Sequence, residues 1–223
     1  MPIMSRKGIN VLFMHIPKTG GTAIANAFRK TDVRVSLLST QLHGTSPHRF
    51  PCSPQHFHAE AVRHLFADGY FDLRVTVVRH PVDRILSEYR MHMRSVLAAG
   101  VAIPDFAIWL DFFLRRSREE PYVKDNHLRP QVNFVEPGTE VFRYEDGLAP
   151  VISRISEVLG LPRPPSADRV NVGADVRADV GPDCLARIRN HYAADFERFG
   201  YGAWTGAGRL PAAAVREPAM RVG

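Results

Sequence analysis

The sequence is poor in cysteine, holding only Cys52 and Cys184. Two thiols build neither a disulfide framework nor a four-cysteine zinc site, so free thiols in a reducing compartment are expected. No apolar run approaches the roughly 20 residues that span a bilayer. Arg6 and Lys7 precede Val11-Leu12-Phe13-Met14, but that run is too short for the apolar core of a secretory leader, and no small-residue cleavage pattern follows. A cytoplasmic protein without a transmembrane segment is the expectation. Two nucleotide signatures are also missing: the G-x-x-x-x-G-K-[ST] loop and the G-x-G-x-x-G turn of dinucleotide-binding folds. The basic residues are scattered and form neither an arm nor an RNA-binding signature, which argues against nucleic acid as the partner.

What is there has an ordinary globular balance. The 223 residues are 45% hydrophobic and 23% charged, which excludes wholesale disorder and a collagen-like fibre. Lys+Arg 29 against Asp+Glu 23 gives a net charge of +6, an excess that favours an anionic partner. The length suits one domain, read as residues 1–223 with a core over about 10–201 and a flexible Ala- and Gly-rich tail over 202–223.

Hydrophobic periodicity predicts strands over residues 10–16, 33–38, 73–78 and 141–144. It predicts helices from Thr22 and over residues 57–67, 82–98, 105–116, 148–159 and 183–199, several closed by a following glycine. Strands that alternate with helices predict an α/β fold, with a P-loop-like parallel sheet covered on both faces in three layers.

The sharpest local signal is Pro17-Lys18-Thr19-Gly20-Gly21-Thr22, set between a strand and a helix. Glycines let backbone N–H groups approach an anion, and the helix N-terminus adds about half a positive charge. Lys18 contributes a full charge, and Thr19 and Thr22 offer hydroxyls. The same residues also suit a plain tight turn with Thr22 as N-cap. A second signal is Val77-Val78-Arg79-His80-Pro81-Val82-Asp83-Arg84-Ile85-Leu86-Ser87. Arg79 closes the strongest predicted strand, where ligands bind in doubly wound sheets, and an arginine there can grip phosphate through two bonds. Ser87 lies about one and a half turns into the next helix and offers a further donor. Arg84 and Glu88 read as a surface i, i+4 ion pair.

Two anion cradles at neighbouring strand ends suggest a ligand with two separated phosphate groups. The segments HIPKTGGT and VVRHPVDRILSEY resemble the two signature motifs of sulfotransferases that use 3′-phosphoadenosine 5′-phosphosulfate (PAPS). The resemblance is to the carbohydrate branch, which includes heparan sulfate 2-O-sulfotransferase, and to small bacterial members. It extends to VFRYED at 141–146 and HYAADFERFGY at 191–201. It implies the sulfotransferase fold, with PAPS as co-substrate and no metal. Lys18, Thr19, Gly20, Gly21, Thr22 and Ala23 would hold the 5′-phosphosulfate, and Arg79 and Ser87 the 3′-phosphate. The commonest family form has Asp where this chain has His80. An adenine pocket is expected in the loop after Pro165, around Asn171.

Sulfuryl transfer needs a base for the acceptor hydroxyl and stabilisation of the leaving phosphate. Lys18 is the candidate for the second task. For the first, a histidine titrating near working pH is apt, and five of the ten histidines fall between His43 and His64. The carbohydrate branch carries its catalytic histidine at the loop-to-helix junction ahead of the arginine motif. Both His56 and His58 suit that place, and Glu60 is the fallback. A zinc site is disfavoured because His56-Phe57-His58 lacks a third ligand at matching spacing. The segment Asp125-Asn126-His127-Leu128-Arg129-Pro130-Gln131 resembles one close to the active site of small bacterial relatives. Through His127, Arg129 and Gln131 it would recognise an acceptor sugar or alcohol; it also reads as a polar loop held by its own turn bonds. The expected function is sulfuryl transfer from PAPS to a hydroxyl of a carbohydrate or small-molecule acceptor. The alternatives are a kinase-like phosphotransferase and a non-catalytic nucleotide- or glycan-binding protein.

Overall fold

The computed structural model describes residues 1–38, 50–168 and 176–206. The loop histidines His43 and His48, the Asn171 expected near the adenine pocket and the tail beyond residue 206 lie outside these residues.

The chain begins with a hairpin that its periodicity does not announce. Strands β1 (Ile3–Arg6) and β2 (Ile9–Met14) pair antiparallel across Lys7 and Gly8. Both linking residues have left-handed φ, 48° and 84°, as a two-residue type I′ turn requires. β3 (Arg34–Ser36) lies antiparallel on the outer side of β1. β4 (Leu73–Val78) and β5 (Glu140–Arg143) run parallel to β2, which gives the order β3-β1-β2-β4-β5. The expected all-parallel sheet is therefore mixed. A strand that returns through two residues can only be antiparallel, and it separates β2 from β3.

Alternation along the central strands feeds two cores. Val11 and Phe13 of β2 join Val75 and Val77 of β4 beneath helices α1 (Gly21–Phe28) and α5 (Ala149–Val158). Leu12, Met14 and Val78 face the opposite way. They join α2 (Ala59–Leu65), α3 (Pro81–Ala98), α4 (Phe106–Glu119), α6 (Pro182–His191) and α7 (Ala193–Phe199). Two cores on two faces make three layers, as expected. The helix predicted over 183–199 is two helices that meet at Tyr192, whose φ of −107° and ψ of 25° interrupt the first. Among the described residues, no helix is long and apolar enough to cross a membrane.

β2 and β4 are parallel neighbours, so their carboxyl ends open at the same edge of the sheet. The glycine turn follows β2, and Arg79 follows β4. Topology alone brings the two motifs together.

Candidate active site

The turn after β2 is packed from inside as well as shaped for a ligand. Thr19 is fully buried, and its Oγ1 donates to the Ile16 carbonyl at 2.8 Å, which closes the turn. Lys18 and Gly20 take left-handed φ of 72° and 87°. A Cβ on Gly21 would stand 2.1 Å from a ring carbon of His15, so that glycine is required by the imidazole beneath it. One on Gly20 would meet Leu148 at 3.0 Å and Tyr144 at 3.2 Å. Helix α1 starts at Gly21 with Gly20 as its N-cap, one residue ahead of the helix start expected at Thr22, so Thr22 is not the cap that the plain-turn reading made it. The Ala23 N–H donates to the Gly20 carbonyl at 3.0 Å. N–H groups of a first helical turn otherwise lack intrahelical partners and face outward, the geometry that suits an anion.

Arg79 reaches back from β4 to this turn. Its Nη1 donates to the Lys18 carbonyl at 3.3 Å, and the guanidinium lies 4.4 Å over the Tyr144 ring. Gln131 fixes the backbone from which the side chain departs. Its Oε1 accepts from the Arg79 N–H and its Nε2 donates to the Arg79 carbonyl, each at 2.9 Å. The Gln131 and Val132 N–H groups donate in turn to the buried Asp195 carboxylate, also at 2.9 Å. His80 caps α3, because its Nδ1 accepts from the Val82 N–H at 3.3 Å. An aspartate there would cap in the same manner, so the departure from the common motif keeps the role. Ser87 is half-buried and lies on the α3 face that carries Asp83, four residues earlier.

Burial and a crowd of like charges act on Lys18. Its amine approaches Met91 Sδ at 3.0 Å, and burial brings its pKa down to about 8. Glu88 opposes that fall, while Arg79, Arg94 and Lys124 add to it. Cations held this close repel one another, and an anion relieves them.

Beside Lys18 stands a cluster of imidazoles and carboxylates. His56 Nδ1 bonds Asp125 Oδ2 at 2.8 Å, across 69 residues of sequence. Ser53 donates to the same carboxylate through its N–H at 2.5 Å and its Oγ at 2.6 Å. His127 Nδ1 bonds Glu88 Oε2 at 2.5 Å, and Lys124 lies 3.4 Å from the other Glu88 oxygen. The His56 ring meets His15 at 5.1 Å and His127 at 4.9 Å, edge to face in both cases. Burial lowers His56 to about 4 against the pull of Asp125 and holds His15 well below its ordinary value. Burial works to raise Glu88, yet His127 and Lys124 keep it at about 2. For Asp125 burial is likewise outweighed, and bonds from His56 and Ser53 hold its carboxyl below the usual carboxylate range.

The loop that supplies this cluster is strained. Lys124, Asp125 and Asn126 take left-handed φ of 50°, 59° and 63° in succession. Residues other than glycine pay for that conformation, and it persists only where the surroundings over-determine it. Here they do. Lys124 pairs with Glu88, Asp125 with Ser53 and His56, and Asn126 Nδ2 donates to the His56 carbonyl at 2.9 Å. Arg84, only 1% exposed, ties the loop to the turn. It donates to the carbonyls of His127 at 3.1 Å, Arg129 at 2.7 Å and Pro17 at 3.5 Å.

A model of the sulfotransferase family matches residues 2–202. The chain belongs to the sulfotransferase family. Comparison with curated proteins and with solved structures gives no match. The matched range takes in the first hairpin, which the expected core over about 10–201 cuts into.

The sulfotransferase brings some of the expected residues together and sets others apart. Lys18, the glycine turn, Arg79, His56 and His127 share one neighbourhood. His58 does not share it: its ring meets Tyr122 at 5.8 Å, its Nε2 lies 3.6 Å from Glu60, and it precedes α2 as N-cap. Arg129 is spent on its own loop, donating to Asn126 Oδ1 and to the Pro121 carbonyl, each at 2.8 Å. Gln131 is fully buried on Arg79. Arg84 and Glu88 form no surface pair, being buried and engaged with other partners. Asp125, Glu88, His15, Lys124, Ser53 and Tyr144 entered no sequence-based set. Asp125, Glu88, His15 and Tyr144 stood inside segments already singled out, and Lys124 and Ser53 did not.

Proposed function

We propose that this sulfotransferase moves a sulfuryl group from PAPS to a hydroxyl of a carbohydrate or other small-molecule acceptor, acting as one catalytic domain in the cytoplasm. One observation carries the reading. The Arg79 guanidinium touches the Lys18 carbonyl at 3.3 Å, so the two anion motifs form one continuous surface.

The donor set suits a nucleotide phosphorylated at two places. Lys18 and the first turn of α1 serve one phosphate; Arg79 and Ser87 serve the other. PAPS, when bound, supplies the sulfuryl group and a phosphate as leaving group. Lys18 neutralises charge on the departing oxygen, and a pKa of about 8 leaves it mostly protonated at neutral pH.

His56 is the base we favour. Its Nδ1 is held by Asp125, which selects the tautomer that leaves Nε2 free to accept a proton. A pKa of about 4 makes the ring neutral before the reaction, and Asp125 then steadies the imidazolium. His127, at the ring edge of His56, is placed to meet the acceptor. The carbohydrate branch is favoured because a loop histidine of this kind precedes its arginine motif.

Titration with 3′-phosphoadenosine 5′-phosphate (PAP), the spent nucleotide, tests the reading. Saturating PAP at 100 times its dissociation constant should stabilise the fold by about 2.7 kcal/mol. Lys18→Ala and Arg79→Ala should each weaken binding and abolish transfer from labelled PAPS. No PAP binding by the wild type would end the proposal. Magnesium-dependent ATP consumption would point instead to a phosphotransferase, and PAP binding without transfer to any acceptor would point to a binding protein.

A further inference from the structure

The histidine cluster has a second chemical capacity. His56, Asp125 and His127 each offer one ligand atom, and the three atoms lie within 4.8 Å of one another. Tetrahedral zinc with bonds of about 2.0–2.1 Å holds its ligand atoms about 3.3 Å apart, so each atom need move about 1 Å or less. Of the His56-Phe57-His58 pair only His56 takes part, and the second and third ligands come from a distant loop.

The surroundings match what a metal site needs beyond its ligands. A ligating imidazole usually donates its other ring N–H to a carboxylate, which fixes the ring. His127 does so with Nδ1 on Glu88 at 2.5 Å, which leaves Nε2 for an ion. Asp125 is steadied by two bonds from Ser53. The Asp125 and Glu88 carboxylates offset the positive charge of Lys124 and Lys18. His56 is buried, but Asp125 and His127 keep partial exposure, which gives an ion a path in. Two imidazoles and one carboxylate suit a late first-row divalent cation better than magnesium or calcium.

We propose that His56, Asp125 and His127 form a reversible site for such a cation, with zinc as its probe, and that occupancy switches sulfuryl transfer off. The first half stands on the ligand geometry alone. The second rests on the proposed role of His56: an ion shared with Asp125 sits on Nδ1, the ring's proton then stands on Nε2, and that nitrogen can no longer accept the acceptor's proton.

The experiment uses the full chain. Cobalt(II) titration reads the ligand field by visible absorption, and equilibrium dialysis with zinc reads stoichiometry. The wild type should bind one ion per chain. His127→Asn and Asp125→Ala should weaken binding at least tenfold, whereas His64→Ala, on an exposed histidine, should change nothing. Glu88→Gln should weaken it by about 10–100-fold through the His127 ring. PAP affinity and thermal unfolding of each variant establish that it remains folded. Should His127→Asn itself unfold, His127→Gln answers the same question.

No ion bound by the wild type, or equal binding by a folded His127 variant, overturns the site. A zinc-loaded wild type that transfers at its full rate overturns the switch. The two readings fail separately. Zinc binding that depends on His127 without any PAP binding would sink the sulfotransfer proposal and leave the site; PAP binding without zinc would do the reverse.

Discussion

The Asp125 carboxylate grips Nδ1 of His56 at 2.8 Å while His58, two residues further on, turns toward Tyr122. The two histidines should therefore respond differently to substitution. His56→Ala is expected to lower kcat by about 10²–10⁴-fold, the usual range for a general base, with PAP affinity preserved. Asp125→Asn should follow it, because an amide can present a donor to Nδ1 and favour the wrong tautomer. His58→Ala should leave kcat close to wild type. Turnover with labelled donor checks all three, and the opposite ranking of His56 and His58 would overturn the assignment.

Lys18 gives a pH signature. Its pKa in the free protein is about 8, below the ordinary lysine value of 10.5, with burial the largest cause. A bound phosphate favours the charged amine and raises that pKa. PAP binding should thus take up protons once pH exceeds about 8 and weaken as pH rises further. Calorimetry in two buffers of different ionisation enthalpy measures the uptake. The same linkage fixes the sign for stability. The folded protein binds fewer protons than the unfolded chain between about 8 and 10.5, so this group favours the fold more as pH climbs through that window. A Lys18→Met variant should lack both effects.

Gln131 should act through Arg79 rather than on the acceptor. Gln131→Ala removes both bonds that Gln131 makes to the Arg79 backbone, a loss of about 0.5–1.5 kcal/mol for each. The melting temperature should fall and KM for PAPS should rise more than kcat falls. Gln131→Glu restores only the bond to the Arg79 N–H and should land between the two. A variant that alters acceptor preference with unchanged donor KM would return Gln131 to the acceptor side.

His15 and Gly21 should be coupled. A methyl group on Gly21 would stand 2.1 Å from the His15 ring, so Gly21→Ala alone is expected to destabilise strongly. Placed in a His15→Ala background, the same change should cost less, with a coupling of about 1 kcal/mol or more. Denaturant unfolding of the four proteins gives the cycle. Additive losses would mean that the glycine is needed for its backbone alone.

Much of the architecture was legible because its signals are local. Leu73–Val78 is dense in β-branched residues, Pro81 opens the following helix, and the glycine turn breaks the chain sharply, so β4, α3 and the donor motifs were placed from sequence. β1 escaped because four residues before Lys7-Gly8 give too little alternation, and this turn lacks the common Asn-Gly signal. The site was half legible. Lys18, Arg79 and His56 stood in recognisable segments. Glu88 was misread since a charge four residues from Arg84 resembles a solvated pair, and only tertiary packing shows both buried. The link from His56 to Asp125 crosses 69 residues, and no local pattern encodes it.

Lys124, Asp125 and Asn126 sit on a backbone that glycine adopts freely. Three such residues in a row cost a few kcal/mol together, a sizeable share of the 5–15 kcal/mol by which a domain stays folded. The segment is a sprung catch, shut by its anchors. Loosening one anchor, as in Ser53→Ala, should let it open while the sheet beneath stays closed. Amide exchange over 122–129 would then quicken long before the protein melts, and turnover would fade at temperatures where the fold is still whole.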